Sequence, residues 1–219
     1  MNPLRPADLH HLRAAEGWLE LGNEAEARGE LDQISTNRLD HPDVLEISWM
    51  LFAREQNWNA CVKAAELLVQ QAPERPGGWI HRSFALHELK RTEEAFINLN
   101  PVRRIFSDQW VIPYNLACYL TQLGRIKEAA RELHTALKID PRAVKRAAVN
   151  DPDLEPLCKH IDELGAGYWS ELCVRGNPLL DQFHSRITYR RALGRHGFCS
   201  PGRYRENQWR GCGIALLIR

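Results

Sequence analysis

Apolar positions along the chain recur with two nested periods. Over residues 116–123 they fall at Leu116, Ala117, Leu120 and Leu123, the i, i+3, i+4, i+7 rhythm of one helix face, and the rhythm stops at Gly124. After a turn it resumes at Ile126, Ala129, Ala130, Leu133, Ala136 and Leu137, and Asp140-Pro141 ends it, because the residue before a proline disfavours helical backbone. Two short antiparallel helices, A and B, are predicted. The longer period is 34 residues. It brings Gly22, Gln56, Lys90 and Gly124 into one column, with Trp18, Phe52, Leu86 and Leu120 four places before it. Five places after it stand Ala27, Cys61, Ala95 and Ala129; nine after, Leu31, Ala65, Leu99 and Leu133; three further on, Ile34, Leu68, Val102 and Ala136. These flanking positions are all small or apolar. The small column is what close helix pairing demands, since a large side chain there would hold two helices further apart than about 8–10 Å. Pro113 falls in the first turn of the fourth A helix, where its missing N–H has no bond to lose.

Four units therefore follow one another without insertion, at residues 8–41, 42–75, 76–109 and 110–143. The unit resembles the tetratricopeptide repeat (TPR). Trp79 followed by Leu86, the Leu21-Gly22 and Leu123-Gly124 turns, the alanine column, and Pro73 and Pro141 near unit ends carry the likeness. Units two and three depart from the family pattern: Gln56 and Lys90 replace the turn glycine, Cys61 replaces the alanine, and Arg82 and Ser83 stand where Leu and Gly or Ala are usual. The resemblance implies an all-α, right-handed α-solenoid of four helix-turn-helix repeats. A stack of repeats leaves its last apolar face open, so capping helices are expected next. Residues 144–164 supply them, with a short helix at 142–149, a turn at Asn150-Asp151-Pro152-Asp153, and Leu154, Leu157, Ile161 and Leu164 on one face of a second helix. Both are expected to pack on helix B of the fourth unit.

Composition divides the chain at residue 165. Residues 1–164 carry 20 basic and 25 acidic groups and residues 165–219 carry 9 and 3, although the whole chain has a formal net charge of only +1. The last 55 residues also hold 8 of the 14 glycines and 3 of the 6 cysteines, with no lysine and no helical or alternating rhythm. Such a segment reads as a poorly ordered tail. A second reading is that it is non-native, since its arginine, glycine, cysteine and tryptophan bias resembles translation of GC-rich coding sequence in a shifted frame. Arginine interleaved with aromatics at Tyr189-Arg190-Arg191 and Arg203-Tyr204-Arg205 makes single-stranded nucleic acid the weakest of the partner classes considered.

Catalytic and cofactor motifs are missing from the sequence. No phosphate-binding glycine loop, H-E-x-x-H, G-x-S-x-G or EF-hand loop occurs, and the six cysteines lie far apart with no C-x-x-C. His10-His11 and Cys158-Lys159-His160 put metal-type residues on different faces of a helix. Neither an enzyme, a metal site nor a cofactor is expected. No apolar run of membrane-spanning length and no secretory signal is found, which makes the cytoplasm the expected location.

Binding is the expected function. The resemblance implies that the A helices line a concave groove, and projecting them places Leu12, Ile47, Met50, Ile80, His81, Phe84, Tyr114, Asn115 and Cys118 there, an apolar centre with polar edges suited to a peptide or an amphipathic helix. For Met50 and Phe84 the competing role is to fill gaps between successive A helices. Members of the family often hold peptide backbone through an asparagine in the slot of Asn115. The basic clamp of chaperone-binding relatives would need Lys and Asn in the first A helix, where Leu12 and Glu16 stand, which argues against an acidic chaperone tail. The expectation is a non-catalytic protein-interaction module, adaptor or chaperone-like, with a self-associating structural protein as the alternative.

Overall fold

Left-handed backbone at four points, each 34 residues from the next, sets the architecture. Gly22, Gln56, Lys90 and Gly124 have φ of +72°, +55°, +63° and +73°. Each stands one residue past the cap of an A helix. At all four, the following residue's N–H reaches back to close a six-residue turn: Asn23 to Trp18 O, Asn57 to Phe52 O, Arg91 to Leu86 O and Arg125 to Leu120 O, at 2.8–2.9 Å. This terminates helix A by satisfying its last carbonyls and reverses the chain into helix B. Units two and three hold the same geometry as the glycine units, so the column is set by conformation and not by residue type.

The computed structural model describes residues 3–149 and 151–163; the expectations for residues 165–219 lie outside them. Among the described residues no strand occurs. The helix pairs are α1 (Pro6–Glu20) with α2 (Glu24–Asp32), α3 (Pro42–Arg54) with α4 (Trp58–Gln71), α5 (Pro76–Glu88) with α6 (Thr92–Leu99), and α7 (Val111–Gln122) with α8 (Ile126–Ile139). Then come α9 (Pro141–Ala148) and α10 (Glu155–Glu163). Proline opens α1, α3 and α5, where its fixed φ suits the first turn and its missing donor costs nothing.

The B helices start by two different devices. Asn23 and Asn57 accept through their side-chain oxygens from the backbone N–H groups of Glu26 and Ala60, both at 3.2 Å. Arg91 and Arg125 occupy the same column in units three and four and instead clasp Glu94 and Glu128 with paired bonds of 2.6–2.8 Å. Those glutamates also lie in the first turn, where negative charge meets the positive end of the helix dipole.

Each helix packs on its partner and on the next unit, with α1, α3, α5 and α7 also touching in succession. Ala27, Cys61, Ala95 and Ala129 are wholly buried where A and B cross. Cys61 behaves there as a small apolar group, its thiol pushed up to about 12 by burial. Ser83 is also wholly buried; it donates to Ile80 O (2.9 Å) and accepts from the Tyr119 hydroxyl (3.2 Å), so the departure from Gly or Ala at this position links α5 to α7. At the other end, buried Asp8 joins α1 to the turn after α2, accepting from the Ser35 N–H (2.9 Å) and hydroxyl (2.7 Å).

The cap differs from expectation in two ways. Asp140 ends α8 and at once caps α9, its Oδ1 accepting from Ala143 N (2.9 Å), so Pro141 opens a helix as well as closing one and a unit boundary at 143 would fall inside α9. The turn at 151–154 also reaches past α8 onto α7. Leu154 and Leu157 are buried in the core shared by units two to four, and Gln122 Nε2 donates to Asp153 O (2.9 Å).

Candidate functional site

The A-helix face carries a partly enclosed cavity of about 240 Å³ between units two, three and the cap. The turn after α3 contributes Gln56 and, at the start of α4, Trp58; α5 contributes Phe84, His87 and Glu88; α7 contributes Tyr114, Asn115, Cys118 and Tyr119; the cap turn contributes Asp151 and Asp153. Three-residue and four-residue spacing on α5 and α7 brings these side chains to one face. The left-handed turn at Gln56 directs Trp58 towards them, and its ring meets Phe84 edge-on with centroids 5.9 Å apart.

Hydrogen bonds hold the far wall. The Tyr114 hydroxyl donates to Asp151 Oδ2 at 2.6 Å, and the Cys118 thiol approaches the same oxygen at 3.9 Å. Burial first, then the nearby Cys118 and Asp151, push the Tyr114 phenol far above its usual range, so it stays a donor at any working pH. His87 lies between Thr92 Oγ1 (3.0 Å) and Asp153 Oδ2 (3.3 Å). Asn115 is different. Its residue is only 7% exposed, it lines the cavity, and its amide makes no hydrogen bond within the described protein.

Neither a family model nor a curated protein matches the chain in sequence. Solved structures do match. TTC0263, a thermophilic TPR protein in Thermus thermophilus, superposes with a TM-score of 0.61 over 82% of this chain and 96% of its own, at 17% identity. The fold is a TPR-like solenoid. MamA 41-end from Desulfovibrio magneticus RS-1 matches with a TM-score of 0.62 at 12% identity, over 85% of this chain and 100% of its own. A second MamA structure, MSR-1, gives 0.56 at 14%, covering 81% and 98%. At these identities the likeness is one of fold.

Within the TPR-like stack the projected groove residues separate into two groups. Tyr114, Asn115, Cys118 and half-buried Phe84 meet around the cavity. Leu12, Ile47, Ile80 and His81, by contrast, are buried and not open to the groove. The physical reason is the side-by-side contact of successive A helices, whose flanks need apolar filling before anything is left for a ligand. Leu12 and Ile47 join the core of units one and two; wholly buried His81 stacks on Trp49, centroids 4.0 Å apart, and burial lowers it to about 3, so it stays neutral. Met50 is half-buried and packs against both core clusters, the gap-filling role. Trp58, Glu88, Tyr119, Asp151 and Asp153 escaped the projection. Only Asp151 and Asp153 had a sequence signal, as a turn, and nothing local said where that turn would land.

A second hollow, of about 380 Å³, lies among α2, α3 and α4 with an apolar lining that includes Leu31, Val44, Leu51, Phe52 and half-exposed Leu67. Among the described residues no cluster of three His, Cys, Asp or Glu could hold a metal ion. No described helix is long and apolar enough to cross a membrane.

Proposed function

We propose that the chain is a non-catalytic protein-interaction module that holds a peptide or amphipathic helix along its A-helix face, anchored at the cavity of units two to four. The observation that carries this reading is Asn115. A buried amide without a hydrogen bond is costly, and one that faces a cavity gains its missing partners when peptide backbone enters. Phe84 and Trp58 beside it offer apolar contact area, the usual source of affinity in such grooves. An adaptor role in the cytoplasm is consistent with this chemistry.

The test is capture of binding partners on the immobilised full chain beside Asn115→Ala and Phe84→Glu variants, with folding checked by circular dichroism. Partners retained by the parent and lost by both variants would support the groove. Equal retention by all three would refute it. Self-association is the second reading, favoured by the apolar hollow at α2–α4; sedimentation across a concentration range with and without Leu67→Glu separates it from peptide binding.

A further inference from the structure

The cavity has a one-sided charge. Glu88, Asp151 and Asp153 place three carboxylates on its lining, and no lysine or arginine lines it among the described residues. The one basic ring, His87, is already bonded to Asp153 at 3.3 Å. Glu88 has no ion pair within the described protein, whereas other acid groups close to an arginine on this surface are paired, as Glu55 is with Arg28 and Glu94 with Arg91. Four aromatic side chains, Trp58, Phe84, Tyr114 and Tyr119, make up much of the remaining wall. The buried Asn115 amide adds a carbonyl oxygen with no donor assigned to it.

Carboxylates around aromatic faces, with a free amide oxygen and no resident cation, match one kind of guest. An apolar side chain would desolvate the carboxylates without compensation, and an acidic one would add repulsion. A cation satisfies all of the lining together: it pairs with Glu88, gives hydrogen bonds to the Asn115 oxygen, and lies against the electron-rich ring faces. We infer that this cavity is a side-chain pocket for a basic residue, arginine or lysine, of the peptide bound along the A-helix face. The inference rests on the groove reading above and adds to it the chemistry of the partner. A volume of about 240 Å³ leaves room for a long side chain to enter with its stem along Phe84 and Trp58.

The experiment is selection of a displayed random-peptide library on the immobilised full chain, followed by anisotropy titration of the enriched peptides. We expect enrichment of a basic residue whose neutral isostere, citrulline for arginine or acetyl-lysine for lysine, binds about tenfold more weakly, the loss typical of one charge-assisted hydrogen bond. Glu88→Gln, a change at a partly exposed position, should cost a similar factor with the parent peptide and almost nothing with the neutral one, so that the two changes are coupled. If enriched peptides bind and are lost in Phe84→Glu, yet the neutral isostere binds within twofold, the basic-pocket inference is overturned while the groove reading stands. If no peptide is enriched, the groove reading fails and the pocket inference fails with it.

Discussion

Lys90→Gly should stabilise this protein although it deletes a side chain and adds none. Lys90 is exposed and holds φ of +63°, where an L-residue brings its Cβ against the neighbouring carbonyl at a cost of roughly 1–2 kcal/mol. Glycine removes that cost but loses more freedom on folding, about 0.5–1 kcal/mol. The difference leaves a net gain of roughly 0.5–1 kcal/mol. The reverse change gives an internal control. At Gly22 and Gly124, with φ of +72° and +73°, an added Cβ would meet no atom within 4 Å, so alanine there is penalised by backbone conformation alone. Gly124→Ala should destabilise by about the amount that Lys90→Gly gains. Urea unfolding followed by far-ultraviolet circular dichroism reads both as opposite shifts in midpoint at unchanged m-value, and thermal unfolding should move by roughly 1–4 °C in each direction. Destabilisation by Lys90→Gly, or indifference to Gly124→Ala, would show that the four turns are not held by a common left-handed backbone, and the account of why the units keep register would fall.

The remaining predictions concern packing and pH. Gly78→Ala should cost about 1–3 kcal/mol in urea unfolding, because its Cβ would lie 3.0 Å from Val69 N and 3.1 Å from Val69 Cγ2, with α4 backbone unable to yield cheaply. Ala129→Trp, at a wholly buried crossing of α7 and α8, should strip amide-exchange protection from residues 111–139 first; uniform protection would contradict the crossing. Glu46 is raised to about 7 by burial, against 4.5 when unfolded, in spite of the opposing attraction of Arg75. Its charged form is therefore disfavoured in the fold, so stability should be greatest below pH 4.5 on its account and fall as pH rises through 7, by no more than about 3 kcal/mol, and Glu46→Gln should remove that fall. Asp8 has the opposite sign: the Ser35 N–H and hydroxyl, then Arg5, lower it to about 2 from 3.8, so its stabilising effect is present above pH 4 and lost as pH drops through 2, a loss that Asp8→Ala should not show.

The repeat was legible in the residues because its cause is local. A helix face needs apolar groups three and four apart, a helix crossing needs a small residue, and a reversal after each A helix needs one left-handed residue, so Ala27, Cys61, Ala95 and Ala129 and the column from Gly22 to Gly124 carry the fold in their spacing. Even Gln56 and Lys90, whose identities argued for looser units, keep the turn, because the closing hydrogen bonds from Asn57 and Arg91 outweigh the strain at one residue.

The candidate site was only half legible, and the reason is distance along the chain. Spacing on α5 and α7 identified Phe84, Tyr114, Asn115 and Cys118, which share a helix face whatever else surrounds them. Spacing alone could not tell which flank of each A helix meets its neighbour, so Leu12, Ile47, Ile80 and His81 looked available and are buried. Nor could it bring Asp151 to Tyr114, 37 residues away, or place Asp153 beside His87. Periodicity within one segment determines helices and their order; the enclosure and charge of a cavity arise where separate segments meet, and only the packed stack decides that.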